Sequence, residues 1–110
     1  MSVDYGAQEA ETRRLWAEMA ATADLPATAL LDLHFEGGDD ADATEFMGWL
    51  EDAGYDVEHY PADGDEPETI EVQTAEMPLS PETIHAEERR CTEVALRHGF
   101  RPTGWGFMGV

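Results

Sequence analysis

The sequence predicts an α+β protein, a β-α-β-β-α-β core folded as a two-layer sandwich with an extra helix in front of it. Three observations predict this. Apolar residues keep a helical spacing in some segments and a period of two in the segments between them. Capping chemistry marks helix ends, most clearly at Ser80-Pro81, Gly54 and Gly99. A turn from Pro61 to Pro67 separates two alternating segments so closely that an antiparallel hairpin follows.

The first element is a helix from Asp4 to about Ala23. It is rich in alanine and glutamate, with Leu15, Trp16, Met19 and Ala20 as its apolar stripe, and Asp24-Leu25-Pro26 ends it. Residues 29–36 form a strand, because Leu31, Leu33 and Phe35 alternate with Asp32 and His34. Gly37-Gly38 breaks it. Asp39 and Asp40 then read as the N-cap and first turn of a second helix, where carboxylates meet the positive end of the helix dipole. That helix buries Phe46, Trp49, Leu50 and Ala53 and stops at Gly54.

Residues 55–60 and 69–77 alternate as strands, the second with Ile70, Val72 and Thr74 on one face. Ser80 caps the third helix and Pro81 takes its first position. Ile84, Cys91, Val94, Ala95 and His98 fall near one face of it. The last strand, 100–110, holds Trp105, Phe107 and Met108, and its glycines at 104, 106 and 109 suggest close backbone contacts. This order is that of the ferredoxin-like sandwich: four antiparallel strands with two helices on one face. The expected organisation is one domain over 1–110, with 1–25 a helical extension packed on an edge or on the open sheet face, and 26–110 the core.

Charge is the most unusual property of the chain. Between Leu15 and Glu88 there is no lysine or arginine, yet this stretch holds 21 of the 25 acidic residues. Lysine is absent throughout, and the six arginines lie toward the ends, for a net charge of −19. Such a stretch cannot neutralise itself, so its charge faces water and counter-ions or a basic partner. Nucleic acid and anionic membrane are thereby disfavoured as ligands. Two plainer accounts of the acidity stand beside a partner: adaptation to a salty cytoplasm, and genome composition.

The single Cys91 allows neither an internal disulfide nor a cysteine zinc cage, in keeping with a reducing cytoplasm. No signal-peptide pattern opens the chain, and no apolar run reaches the roughly 18 residues of a membrane span. The expected location is the cytoplasm.

No constellation for catalysis, cofactor or metal stands out. His85 and His98 point in different directions on one helix, and Cys91 and His98 are about 10.5 Å apart along it. The Asp63-Gly64-Asp65-Glu66 turn lacks the ligand order of a calcium loop, and Gly37-Gly38-Asp39-Asp40 lacks the lysine of a phosphate loop. Ser80 is explained by capping and Cys91 by core packing. Trp105 between two glycines reads either as a core anchor or as an exposed interface aromatic.

Four pieces, in order, resemble one family. They are Glu11-Thr12-Arg13 in a helix followed by a strand ending His34-Phe35, Asp39-Asp40 with the helix through Phe46 and Leu50, Ala53-Gly54-Tyr55-Asp56-Val57, and Gly104-Trp105-Gly106 after a long acidic helix. Together they resemble the regulator of ribonuclease E activity B family (RraB) of small bacterial proteins. The resemblance implies a ferredoxin-like fold, no catalysis of its own, and modulation or inhibition of ribonuclease E away from the nuclease chemistry. That enzyme has an arginine-rich non-catalytic region. The partner expected is therefore a basic protein segment of ribonuclease E.

The expected partner-binding residues are Asp39, Asp40, Asp42 and Glu45 at the first strand–helix junction. Glu51 and Asp52 follow on the same helix, then Asp63, Asp65, Glu66 and Glu68 in the hairpin turn, with Trp105 as an aromatic contact. The rival readings are a small-molecule-binding domain using the open sheet face, and a self-associating domain forming a homodimer through that face.

Overall fold

A computed structural model describes residues 2–107. The elements are α1 (Tyr5–Thr22), β1 (Thr28–Gly37), α2 (Ala43–Asp52), β2 (Asp56–Tyr60), β3 (Thr69–Pro78), α3 (Pro81–Arg97) and β4 (Phe100–Phe107). Met108, Gly109 and Val110, which the sequence reading assigned to the last strand, lie outside the described residues.

The strands form one antiparallel sheet in the order β2-β3-β1-β4. β1 and β2 run in the same direction with β3 between them, and α2 makes the crossover. The period-two pattern of β1 sorts its side chains cleanly. Leu31, Leu33 and Phe35 are buried, with Ile70 and Val72 of β3 beside them. Phe46 and Leu50 of α2, with Ile84, Cys91 and Ala95 of α3, cover that face and close a single core. Phe46 meets Phe35 edge-on at 5.3 Å between ring centres and Phe100 at 5.4 Å.

Helix ends follow their local chemistry. The Asp4 carboxylate accepts the Ala7 N–H at 3.1 Å and starts α1. Ser80 and Thr83 form a reciprocal capping box ahead of α3, with Pro81 at its first turn. Gly54 and Gly99 adopt φ of 95° and 80° just past α2 and α3.

One cap differs from the sequence reading. Asp42, not Asp39 or Asp40, caps α2, and its carboxylate accepts the Glu45 N–H at 3.2 Å. The cause is tertiary. The Asp42 N–H donates to the His98 carbonyl at 2.8 Å, and the Gly38 N–H to the Gly99 carbonyl at 3.0 Å. These bonds hold residues 38–41 in a turn against the α3–β4 corner and delay the helix.

α1 packs on α3 and on the β4 edge, on the helix side of the sheet. Its seam is largely polar. Thr12 is buried, the Gln8 side-chain amide donates to Thr92 at 3.2 Å, and Trp16 lies 6.4 Å from Phe107. Leu15, Trp16 and Met19 of the expected apolar stripe are half-buried, and Ala20 is exposed. No helix among the described residues is long and apolar enough to cross a membrane.

Candidate functional site

β1 ends, β2 ends, and β3 and β4 begin at the same edge of the sheet. Glu36 pairs with both Thr69 and Arg101, and Gly37 donates its N–H to the Glu68 carbonyl at 2.8 Å. This brings the β1–α2 connection next to the β2–β3 turn. Asp39, Asp40, Asp42 and Glu45 therefore share one end of the molecule with Asp63, Asp65 and Glu66, and all seven are exposed. Asp63 and Glu66 exchange backbone hydrogen bonds around Gly64, whose φ is 59°. Glu68 is half-buried and engaged with His59 Nε2 at 2.6 Å. Glu51 and Asp52 are not part of this group. They lie at the far end of α2, about 15 Å along the helix from its cap.

The face of the sheet turned away from the helices carries a second set of acids. Cross-strand pairs arrange it in rows. One row runs Asp56, Gln73, Asp32, Gly106. The next runs Glu58, Glu71, His34, Gly104. The third runs Tyr60, Thr69, Glu36, Arg101. The Gln73 amide donates to Asp32 at 2.9 Å, the Tyr60 hydroxyl donates to Glu58, and His34 lies 3.4 Å from Glu71. Among the described residues, Arg101 is the only arginine paired with an acid of this face, Glu36 at 2.7 Å. A concavity of about 540 Å³ lies here, lined by Asp32, His34, Asp56, Glu58 and Glu71 and, from the α2 end, by Glu51 and Tyr55. The sequence reading saw the alternation in β1 but did not join it to β2 and β3. Register across three strands was the missing information.

Trp105 lies on the opposite face. It pairs with Leu33, stacks on Phe107 at 6.2 Å and is half-buried behind α1. Its indole N–H donates to the Thr12 hydroxyl at 3.2 Å, and that hydroxyl donates to the buried Glu88 carboxyl. Burial pushes the Glu88 carboxyl up to about 7, against the Thr12 hydrogen bond, which lowers it. The flanking glycines do not serve crowding. A Cβ built on Gly104 or Gly106 meets no atom within 4 Å, and neither has a positive φ. In a strand, glycine is disfavoured by about 0.5–1 kcal/mol relative to alanine. Gly104 borders the register irregularity between β1 and β4, and Gly106 has no such reason in the fold.

Burial also pushes the Cys91 thiol up to about 11, away from reactivity. Tyr55 donates its hydroxyl to Glu87 and accepts from Arg90 at 3.1 Å, tying α3 to the end of α2. Among the described residues, no three histidine, cysteine, aspartate or glutamate side chains gather as a metal ion requires.

These features define a class: an acidic two-layer α+β protein with an open, carboxylate-bearing sheet face and a further acidic end. The family model described as regulator of ribonuclease activity B matches residues 9–107, from within α1 to the end of β4. The chain belongs to that family. No curated protein matched it. Two of the segments that carried the resemblance, Glu11-Thr12-Arg13 and Gly104-Trp105-Gly106, meet directly through the Thr12–Trp105 hydrogen bond.

Proposed function

We propose that this protein is a non-enzymatic, cytoplasmic regulator that binds ribonuclease E through its acidic surface and modulates or inhibits it, altering RNA degradation. Membership of a ribonuclease-regulator family supports the regulatory role. The observation that carries the acidic-surface reading is an acidic surface in two adjoining parts: the carboxylate rows of the open sheet face, and the convergence of Asp39, Asp40, Asp42 and Glu45 with Asp63, Asp65 and Glu66 at one end of the sheet. Segments distant in sequence bring like charges together there, against mutual repulsion, which suits a basic partner. An arginine-rich segment that otherwise grips RNA phosphates is such a partner. RNA itself is repelled by a chain of net charge −19. The strand order and the two helices on one face support a single ferredoxin-like domain with α1 appended.

The test is recovery from bacterial lysate on the immobilised protein at low and high salt. Ribonuclease E retained at low salt and released at high salt supports the proposal. Failure of the immobilised protein to retain ribonuclease E at low salt contradicts it.

A second reading, a small-molecule-binding domain, is favoured by the concavity of about 540 Å³ on the open face. It requires a ligand-dependent rise in melting temperature. Self-association through the same face is opposed by its own carboxylates.

A further inference from the structure

We propose that the open face of the sheet, more than its acidic end, is the docking surface, and that its occupant is an extended, arginine-bearing protein segment lying across the Gly104–Gly106 floor beside Asp32. This rests on the reading of the protein as a binder of a basic partner and adds where that partner sits.

Three independent observations meet on this face. The first is charge. Asp32, Asp56, Glu58 and Glu71 carry no arginine partner among the described residues, and Arg101 is held by Glu36 at one end. Guanidinium groups match such carboxylates in planar, forked geometry.

The second is the floor. Gly106 pairs with Asp32 and Gly104 with His34, so both present bare backbone on the open face. Gly104 borders the register irregularity between β1 and β4, whereas Gly106 lies in regular pairing, and an added Cβ meets nothing at either. A strand glycine marks a bulge, as beside Gly104, or close approach by a ligand or another chain, which is the reading left for Gly106. A flat guanidinium or an extended backbone can lie on this strip and still reach the Asp32 carboxylate.

The third is the apolar content. Leu30 and Tyr60 are the exposed large hydrophobic residues, at 43% and 47%. Both alternate onto this face, Leu30 toward the start of β1 and Tyr60 at the end of β2. They give an otherwise polar surface apolar contacts toward its two opposite ends, Tyr60 on the edge strand β2 and Leu30 on the interior strand β1. A second copy of the chain would bring carboxylate against carboxylate, and a nucleic acid would bring phosphate against carboxylate. A basic polypeptide meets neither objection.

The experiment uses the whole chain, labelled with ¹⁵N, and a short synthetic peptide bearing arginine and leucine as probe, with purified ribonuclease E assayed in parallel. Peptide-induced amide shifts are expected to concentrate at Asp32, His34, Gly104 and Gly106. The Gly104→Val, Gly106→Val double variant keeps every charge and fills the floor. It is expected to weaken peptide binding at least about tenfold while its melting temperature holds, because valine suits a strand. Asp39→Asn with Asp40→Asn is expected to change affinity by no more than about twofold. The proposal is overturned if the peptide fails to bind at low salt, if its shifts gather at residues 39–45, or if the valine variant binds as wild type. The shift map needs no variant, so a folding failure of the double mutant leaves the test intact. If the peptide maps to this face but ribonuclease E does not bind, the face stands and the partner falls. If ribonuclease E binds the valine variant undiminished, the partner stands and the face falls.

Discussion

The Thr12 hydroxyl donates to the Glu88 carboxyl across the α1–α3 seam, with both residues buried. The same oxygen accepts the Trp105 indole N–H at 3.2 Å, so one threonine joins α1, α3 and β4. A cavity of about 220 Å³ lies beside this junction, lined by Gln8, Glu11, Leu15 and Pro102 among others. The N-terminal helix is therefore fastened to the core by a polar relay more than by an apolar stripe.

Thr12→Val keeps the shape of this side chain and removes both hydrogen bonds. It leaves a buried carboxyl and an indole N–H without partners, which costs about 1–3 kcal/mol. Urea denaturation is expected to show that loss, with Thr12→Ser retaining most of the stability. A loss below about 0.5 kcal/mol would mean that the relay does not hold α1.

Glu88 gives this junction a pH signature. Its folded pKa is raised from 4.5 to about 7 by burial. Protonated Glu88 is thus favoured by folding. Its stabilising contribution is complete below about pH 4.5 and is lost as pH rises through about 7. The comparison that isolates it is wild type minus Glu88→Gln, because the other carboxylates titrate in both proteins. That difference is expected to fall by about 2 kcal/mol between pH 5 and pH 8, discounted for water in the adjoining cavity. A flat difference across this window contradicts the buried-carboxyl account.

Much of the fold was legible because its signals are local. Ser80-Pro81 marks a helix start wherever it sits, and the Leu31, Leu33, Phe35 alternation defines a buried strand face without reference to a partner. The start of α2 was less legible. Which of Asp39, Asp40 and Asp42 caps it depends on the His98 and Gly99 carbonyls, more than fifty positions away in sequence. The seam of α1 was hidden for another reason: Thr12 and Gln8 are polar, and apolar periodicity passes over them. The structure brings Asp39–Glu45 and the 63–66 turn to one end of the sheet, while Glu51 and Asp52 lie at the other end of α2, a placement that depends on strand pairing and not on local sequence. The acids of the open face come singly from three strands, so no short segment of sequence announces them.

The α3–β4 corner is the least forgiving backbone position. Gly99 has φ of 80°, and a Cβ there would stand 2.8 Å from the Ala41 Cα. Gly99→Ala combines backbone strain with a clash against the turn that leads into α2. A loss of about 2 kcal/mol or more is expected, measured by thermal unfolding. Gly104→Ala, with open space and ordinary φ, is expected to be neutral or slightly stabilising in the same assay.

Net charge predicts a salt response in the isolated protein. At −19, self-repulsion opposes the compact state, and screening relieves it within a Debye length of about 8–10 Å. Raising sodium chloride from about 0.02 to 0.5 M is expected to raise the melting temperature by several degrees. A fall would show that the Arg13, Arg14 and Arg101 ion pairs outweigh the repulsion.

The central claim is that an acidic surface of this protein captures a basic segment of ribonuclease E. Titration calorimetry of the two purified proteins across ionic strength tests it most directly. The account predicts binding that weakens by about tenfold or more between about 50 and 300 mM salt, with RNA competing for the same segment of the enzyme. Absence of binding at the lowest ionic strength, or an affinity indifferent to salt and to RNA, would contradict it.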